Sequence, residues 1–125
     1  RDAYYAYEKA ASASRHLVSM DFDEGNFWLL RTMILRTRSV EFSRRAGRFS
    51  DALFSYLSSL ETCMELINKV DVGLSFPGWS RDRLLRTLRN NFYGLQGLAK
   101  SHGINPNFQS FFNRVVYKYE MERNL

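Results

Sequence analysis

The chain is poor in several residue types that would announce a chemistry. It has one cysteine, Cys63, so it can form no internal disulfide and build no cysteine-based zinc site. A single thiol fits a reducing compartment, and the expected location is intracellular, in cytoplasm or nucleus. The two histidines, His16 and His102, stand far apart. With Cys63 on or beside an apolar helix face, they do not suggest a nucleophile–base dyad. There is no glycine-rich phosphate loop, and no stretch approaches the ~20 apolar residues of a membrane span. The N-terminal Arg1-Asp2-Ala3-Tyr4 has neither an initiator methionine nor a signal-peptide apolar core. It reads as a domain excised from a longer parent chain. These gaps lead us to expect no metal, no cofactor and no enzymatic activity.

Lysine is scarce as well. Only Lys9, Lys69, Lys100 and Lys118 accompany the arginines in a total of 18 basic residues. Arginine offers a planar fork for phosphate or carboxylate and stacks on aromatic rings. Codon usage in a GC-rich genome would produce the same bias.

What is present is segregated. Residues 26–50 hold Arg31, Arg36, Arg38, Arg44, Arg45 and Arg48 against the single acid Glu41, a local charge of +5 that equals the net charge of the protein. Residues 81–100 add Arg81, Arg83, Arg86, Arg89 and Lys100 against Asp82. Such segregation sustains a positive potential and favours anionic partners.

The 125 residues suffice for one domain with a real core, to which ten Phe, seven Tyr and two Trp bring volume. The periodicity predicts five helices. The first, over 2–19, carries Ala3, Ala6, Ala10, Ala13 and Leu17 on a narrow stripe. Asn26 is expected to cap a second, over about 27–46, with Phe27, Leu30, Ile34 and Thr37 leading to Val40 or Glu41, and Gly47 to end it. Ser50 or Asp51 is expected to cap the third, whose Leu53, Leu57, Leu60, Met64 and Ile67 recur at spacings of four and three. Gly73, Pro77 and Gly78 mark the longest loop, from which Trp79 should close over one end of the bundle near the start of the fourth helix. Ser80 caps the fourth helix, with Leu84, Leu85, Leu88, Phe92, Leu95 and Leu98 inward and Gly103 as its stop. Asn105-Pro106 starts the last helix, with Phe108, Phe111, Phe112, Val115, Val116 and Tyr119 expected in the core. Period-two alternation is nowhere sustained. Short connections favour antiparallel neighbours. The expected fold is all-α, a single-domain helical bundle of about five helices, mostly antiparallel up-down.

Arg31, Arg38 and Arg45 lie seven apart, one stripe on a helix, and Arg44 and Arg48 widen it. A solvated helix face would normally mix signs at i,i+4 spacing. On the fourth helix Arg86, Arg89, Asn90, Tyr93 and Lys100 fall on the outer side. Guanidinium, amide and phenol together offer what single-stranded RNA requires: phosphate forks, base-edge donors and a stacking surface. The stripe is expected to face solvent beside basic residues of the fourth helix. Gly94 and Gly97 inside that helix cost roughly 1 kcal/mol each relative to alanine, and close packing against a neighbour is the expected reason. Asp21-Phe22-Asp23-Glu24-Gly25 departs from a calcium loop, with glycine one position early and Thr32 where a bidentate glutamate belongs. Tyr4, Tyr5 and Tyr7 form either a packing cluster or an aromatic surface for a partner.

Two partial resemblances add to this. The stretch from Arg45 to Leu53 resembles the inter-helix turn of microtubule-interacting-and-trafficking domains and tetratricopeptide repeats, which implies an antiparallel hairpin. Arg89-Asn90 resembles the Arg-Asn of the HEPN ribonuclease superfamily, whose motif ends in a histidine four residues after the asparagine. Gly94 stands there in this chain, so the resemblance implies RNA or protein binding rather than cleavage. The expectation is a non-enzymatic, arginine-rich module for RNA or another polyanion, through Arg31, Arg38, Arg44, Arg45, Arg48, Arg86, Arg89, Tyr93 and Lys100. The alternative is a protein–protein adaptor that recognises an acidic or amphipathic helical partner.

Overall fold

A computed structural model describes residues 6–11 and 25–123. It is an all-α bundle. The helices are α1 at 6–11, α2 (Gly25–Arg45), α3 (Phe49–Asp71), α4 (Arg81–His102) and α5 (Gln109–Arg123), with a 3₁₀ turn at Pro106–Phe108 leading into α5. No strand occurs among the described residues; a lone antiparallel bridge joins Phe76 to Trp79 in the loop before α4. Ala3, Tyr4, Tyr5, Ala13, His16, Leu17 and the acidic run from Asp21 to Glu24 lie outside the described residues.

The central helix is α3, which touches α2, α4 and α5. Its predicted stripe of Leu53, Leu57, Leu60, Met64 and Ile67 is buried throughout. Burying one such side chain contributes about 1.5–3 kcal/mol. Ala52, Ser55, Tyr56, Ser59, Thr62, Cys63 and Leu66 are buried with it, so α3 is covered on most of its circumference. Cross-contacts fix the directions. Ser39 meets Ser55 while Thr37 meets Ser59, which makes α2 antiparallel to α3. Cys63 meets the Leu84 carbonyl while Asn91 meets Ser59, which makes α4 antiparallel to α3 and parallel to α2. Phe54 meets Phe111 while Glu61 meets Arg114 and Lys118, so α5 runs with α3.

The turns follow from glycine. Gly47 takes φ of 71°, and its N–H and that of Arg48 donate back to the Arg44 and Ser43 carbonyls. This is the Schellman closure that a residue lacking Cβ permits. It leads straight into α3, whose first residue is Phe49, so neither Ser50 nor Asp51 is the cap. The preceding Arg48 makes no side-chain cap bond, and its guanidinium instead pairs with Asp51 at 2.7 Å. Asn26 likewise lies inside the first turn of α2 rather than before it. Ser80 does cap α4, its Oγ accepting from the Arg83 N–H at 3.2 Å, and Gly103 ends that helix. Asn105 caps the 3₁₀ turn, accepting from the Asn107 N–H.

Three predicted faces shift. Among 6–11, Ala6 is exposed and Ala11 is fully buried, because α1 docks through Tyr7 and Glu8. Phe27 is exposed, and α2 buries Leu29, Leu30, Thr32, Met33, Leu35, Ser39, Val40 and Ser43. That arc is wider than a single stripe because α1 and α3 flank it. Among the α5 residues whose burial is described, only Val115 and Tyr119 are buried; Phe108, Phe111, Phe112 and Val116 are half-buried against the core. Leu85 of α4 is half-buried too. Trp79 packs on the core beside buried Phe76, with the Arg83 guanidinium 3.9 Å from its ring centroid.

Candidate nucleic-acid interface

Parallel α2 and α4 flank α3 and leave an open groove of about 830 Å³ between their C-terminal halves. From α2 it is lined by Thr37, Val40, Glu41, Arg44 and Arg45, and from α4 by Asn91, Gly94, Gly97, Leu98, Ser101 and His102. Phe49 and Tyr56 of α3 close its floor.

The floor depends on Gly94. A Cβ there would fall 2.4 Å from the Tyr56 hydroxyl and 2.7 Å from the ring carbon that bears it. Without that Cβ the phenol passes between α3 and α4. Arg44 Nη1 donates to the Tyr56 hydroxyl at 3.5 Å, and no described residue accepts the phenol's own proton. Gly97, one turn on, is different: a Cβ there would meet nothing within 4 Å. The predicted close packing therefore holds for Gly94 and fails for Gly97, whose missing side chain opens the groove wall.

A directed hydrogen-bond chain sets the Asn91 amide. Thr37 Oγ1 donates to the Met33 carbonyl, so Ser59 is the donor in its 2.8 Å contact with Thr37. Ser59 Oγ then accepts from Asn91 Nδ2 at 3.1 Å. One of the two amide N–H groups is thus committed to the protein, and no described group donates to the amide oxygen. At the groove's end the His102 imidazole lies parallel to the Phe49 ring, 3.5 Å between centroids, while His102 remains exposed.

The predicted site residues fall into three sets. Arg31, Arg38, Arg44 and Arg45 are exposed on α2, and Arg86, Arg89, Tyr93 and Lys100 are exposed on α4. Of these, the groove gathers only Arg44 and Arg45. Facing them, α4 presents amide, glycine, hydroxyl and imidazole; Arg86, Arg89, Tyr93 and Lys100 do not line it. Arg45 shares an i,i+4 ion pair with Glu41 at 2.6 Å, with both side chains about 70% exposed, a geometry worth only ~0.3–0.5 kcal/mol. Arg48 is half-buried and held by Asp51, so it serves the turn rather than the stripe. Arg36 also leaves the surface. Its Nη1 pairs with Glu8 at 3.0 Å with both side chains largely covered, and Glu8 accepts from the Ser39 and Ser55 hydroxyls as well.

The sequence reading missed Tyr56, Asn91, Ser101 and the groove role of His102. Their signal was faint: Asn91, Gly94, Leu98 and Ser101 recur at helical spacing, but only tertiary packing turns that line toward α2. Cys63 is buried, donates to the Leu84 carbonyl at 3.3 Å, and burial pushes its thiol up to about 12. Among the described residues no three His, Cys, Asp or Glu side chains are grouped to hold a metal, and no helix is long and apolar enough to cross a membrane. The chain matches no protein-family model, no curated protein and no solved structure.

Proposed function

We propose that this domain is a non-enzymatic, arginine-rich binding module for an anionic partner, RNA in preference to others, working inside the cell through the basic faces of α2 and α4. The observation that supports this reading is the condition of the cations. Arg31, Arg38, Arg86, Arg89 and Lys100 are exposed, and no ion pair with a described residue engages them. An exposed guanidinium without a carboxylate keeps its donors for phosphate. Several acids of the bundle are used elsewhere: Glu8 on Arg36, Asp51 on Arg48, and Glu61 on Arg114 and Lys118. Tyr93, 66% exposed, adds a ring on which a base can stack.

The test is an RNA mobility shift at two salt concentrations. Polyanion binding by several arginines falls log-linearly with salt through counterion release. A shift that is absent, or one that a salt increase leaves unchanged, refutes the RNA reading. Salt-insensitive capture of an amphipathic helical peptide through a hydrophobic hot spot would replace it with the adaptor reading.

A further inference from the structure

We infer that the groove between α2 and α4 seats one unpaired nucleotide, so that the module prefers single-stranded over duplex RNA. This rests on the RNA reading above and adds a particular place and strand state to it. Three features carry it. The first is Gly97. A glycine within a helix is destabilising relative to alanine, and at Gly94 the Tyr56 phenol explains the choice. At Gly97 no atom of the described residues does, and the residue lies on the groove wall. Close approach of a ligand to the backbone is the remaining physical use of a missing side chain there.

The second feature is the unspent hydrogen-bonding capacity of the floor. Tyr56 is only 7% exposed, yet its proton has no acceptor among the described residues. The hydroxyl accepts from Arg44 and lines the open groove, so its own proton can be given to a phosphate oxygen with Arg44 beside it. Asn91, with one of its two amide N–H groups given to Ser59, keeps its carbonyl oxygen as an acceptor on the groove lining. A phosphate needs donors, and a base edge carries N–H donors of its own. A groove that pairs Arg44 and Tyr56 with the Asn91 oxygen matches both halves of a nucleotide. A carboxylate side chain would use the donors alone.

The third feature is shape. The groove's volume falls within the ~300–1,000 Å³ of small-ligand sites. Its floor is made by α3 between the flanking α2 and α4, a setting that a base free of pairing and stacking can enter edge-first. One face of the His102 imidazole is covered by Phe49, and the exposed remainder offers a surface for the entering base. Duplex RNA could meet only the outer arginines.

The experiment compares Gly97→Leu and Tyr56→Phe with the unaltered domain, by anisotropy of a short labelled single-stranded RNA and of the same strand annealed to its complement. Circular dichroism checks the fold. Gly97→Leu fills open space on an exposed helix face, so it should fold as before. Tyr56→Phe should weaken single-strand binding about tenfold, the worth of one lost charge-assisted bond, Gly97→Leu should weaken it about as much by filling the groove wall, and both should leave duplex binding unchanged. If Gly97→Leu folds and binds the single strand like the unaltered domain, or if single strand and duplex bind equally, the groove inference is overturned and the arginine reading stands. If the unaltered domain binds neither RNA, the RNA reading itself fails and takes the inference with it.

Discussion

A methyl group on Gly94 would overlap the Tyr56 hydroxyl at 2.4 Å, whereas one on Gly97 would touch nothing within 4 Å. The same substitution three residues apart should therefore change stability in opposite directions. Gly97→Ala removes a helix-interior glycine at no steric cost and should stabilise by about 0.5–1 kcal/mol. Gly94→Ala gains the same propensity but drives the phenol out of its slot, and overpacking of this kind costs about 1–3 kcal/mol. Urea denaturation midpoints will read both. Equal shifts at the two positions would mean that Tyr56 does not pass beside Gly94.

The leucine register of α3 was legible because apolar spacing alone determines it, and Ser80, Gly47 and Gly103 were legible because caps and positive φ have few residue solutions. The buried seam of Ser39, Ser43, Ser55 and Ser59 was not. A serine in a helix reads as surface, yet it can be buried if its hydroxyl finds an acceptor, as Ser43 does on the Ser39 carbonyl. Glu8 was equally hidden. Its partners Ser39 and Ser55 lie 31 and 47 residues away, and no local pattern relates them. The charge segregation pointed to basic faces on α2 and α4. It could not reveal that packing on α3 turns Arg44 and Arg45 toward Gly94 and Gly97, because the rotation of one helix about another is decided by side chains of the third.

Glu8 is the fastening of α1. One of its oxygens accepts from Ser39 and Ser55 and the other pairs with Arg36, whose guanidinium carbon also lies 5.3 Å from the centroid of the Phe54 ring. Glu8→Ala leaves the buried Ser55 hydroxyl and a largely covered cation without their acceptor, while Ser39 can still donate to the Arg36 carbonyl, a loss of about 1–3 kcal/mol. Thermal denaturation should register it, and protease cutting within α1 should accelerate. A variant as stable as the unaltered protein would show that α1 is held by the Tyr7–Phe42 stack instead.

Cys63 gives a sign-definite dependence on alkaline pH. Burial raises its thiol from 9.0 to about 12 in the folded protein, so the folded state retains a proton that the unfolded state releases. The thiol's contribution is complete below pH 9 and is lost as pH rises towards 12, by up to ~1.4 kcal/mol per unit. Stability measured at pH 8 and pH 10 should therefore fall more for the unaltered protein than for Cys63→Ala. Native Cys63 should also resist a thiol reagent that labels it at once in denaturant. Rapid labelling of the native protein would place the side chain outside the core.

Replacing Arg31, Arg38 and Arg45 with glutamine tests the stripe. All three are exposed, and among the described residues only Glu41 pairs with one of them, holding Arg45 in a pair of little energetic weight. Removing three like charges relieves repulsion among α2 cations, so the variant should fold with unchanged or slightly higher stability. RNA affinity should fall about evenly across sequences, because phosphate contacts carry no sequence information. The slope of log affinity against log salt should flatten by roughly one unit per lost contact. Arg44 stays in place, so a preference for single strands over duplex should survive the change while total affinity drops. A triple variant that unfolds would make these arginines part of the scaffold. One that folds and binds RNA with the original salt slope would move the interface off α2, leaving Arg86, Arg89 and Lys100 of α4 as the cations to test next.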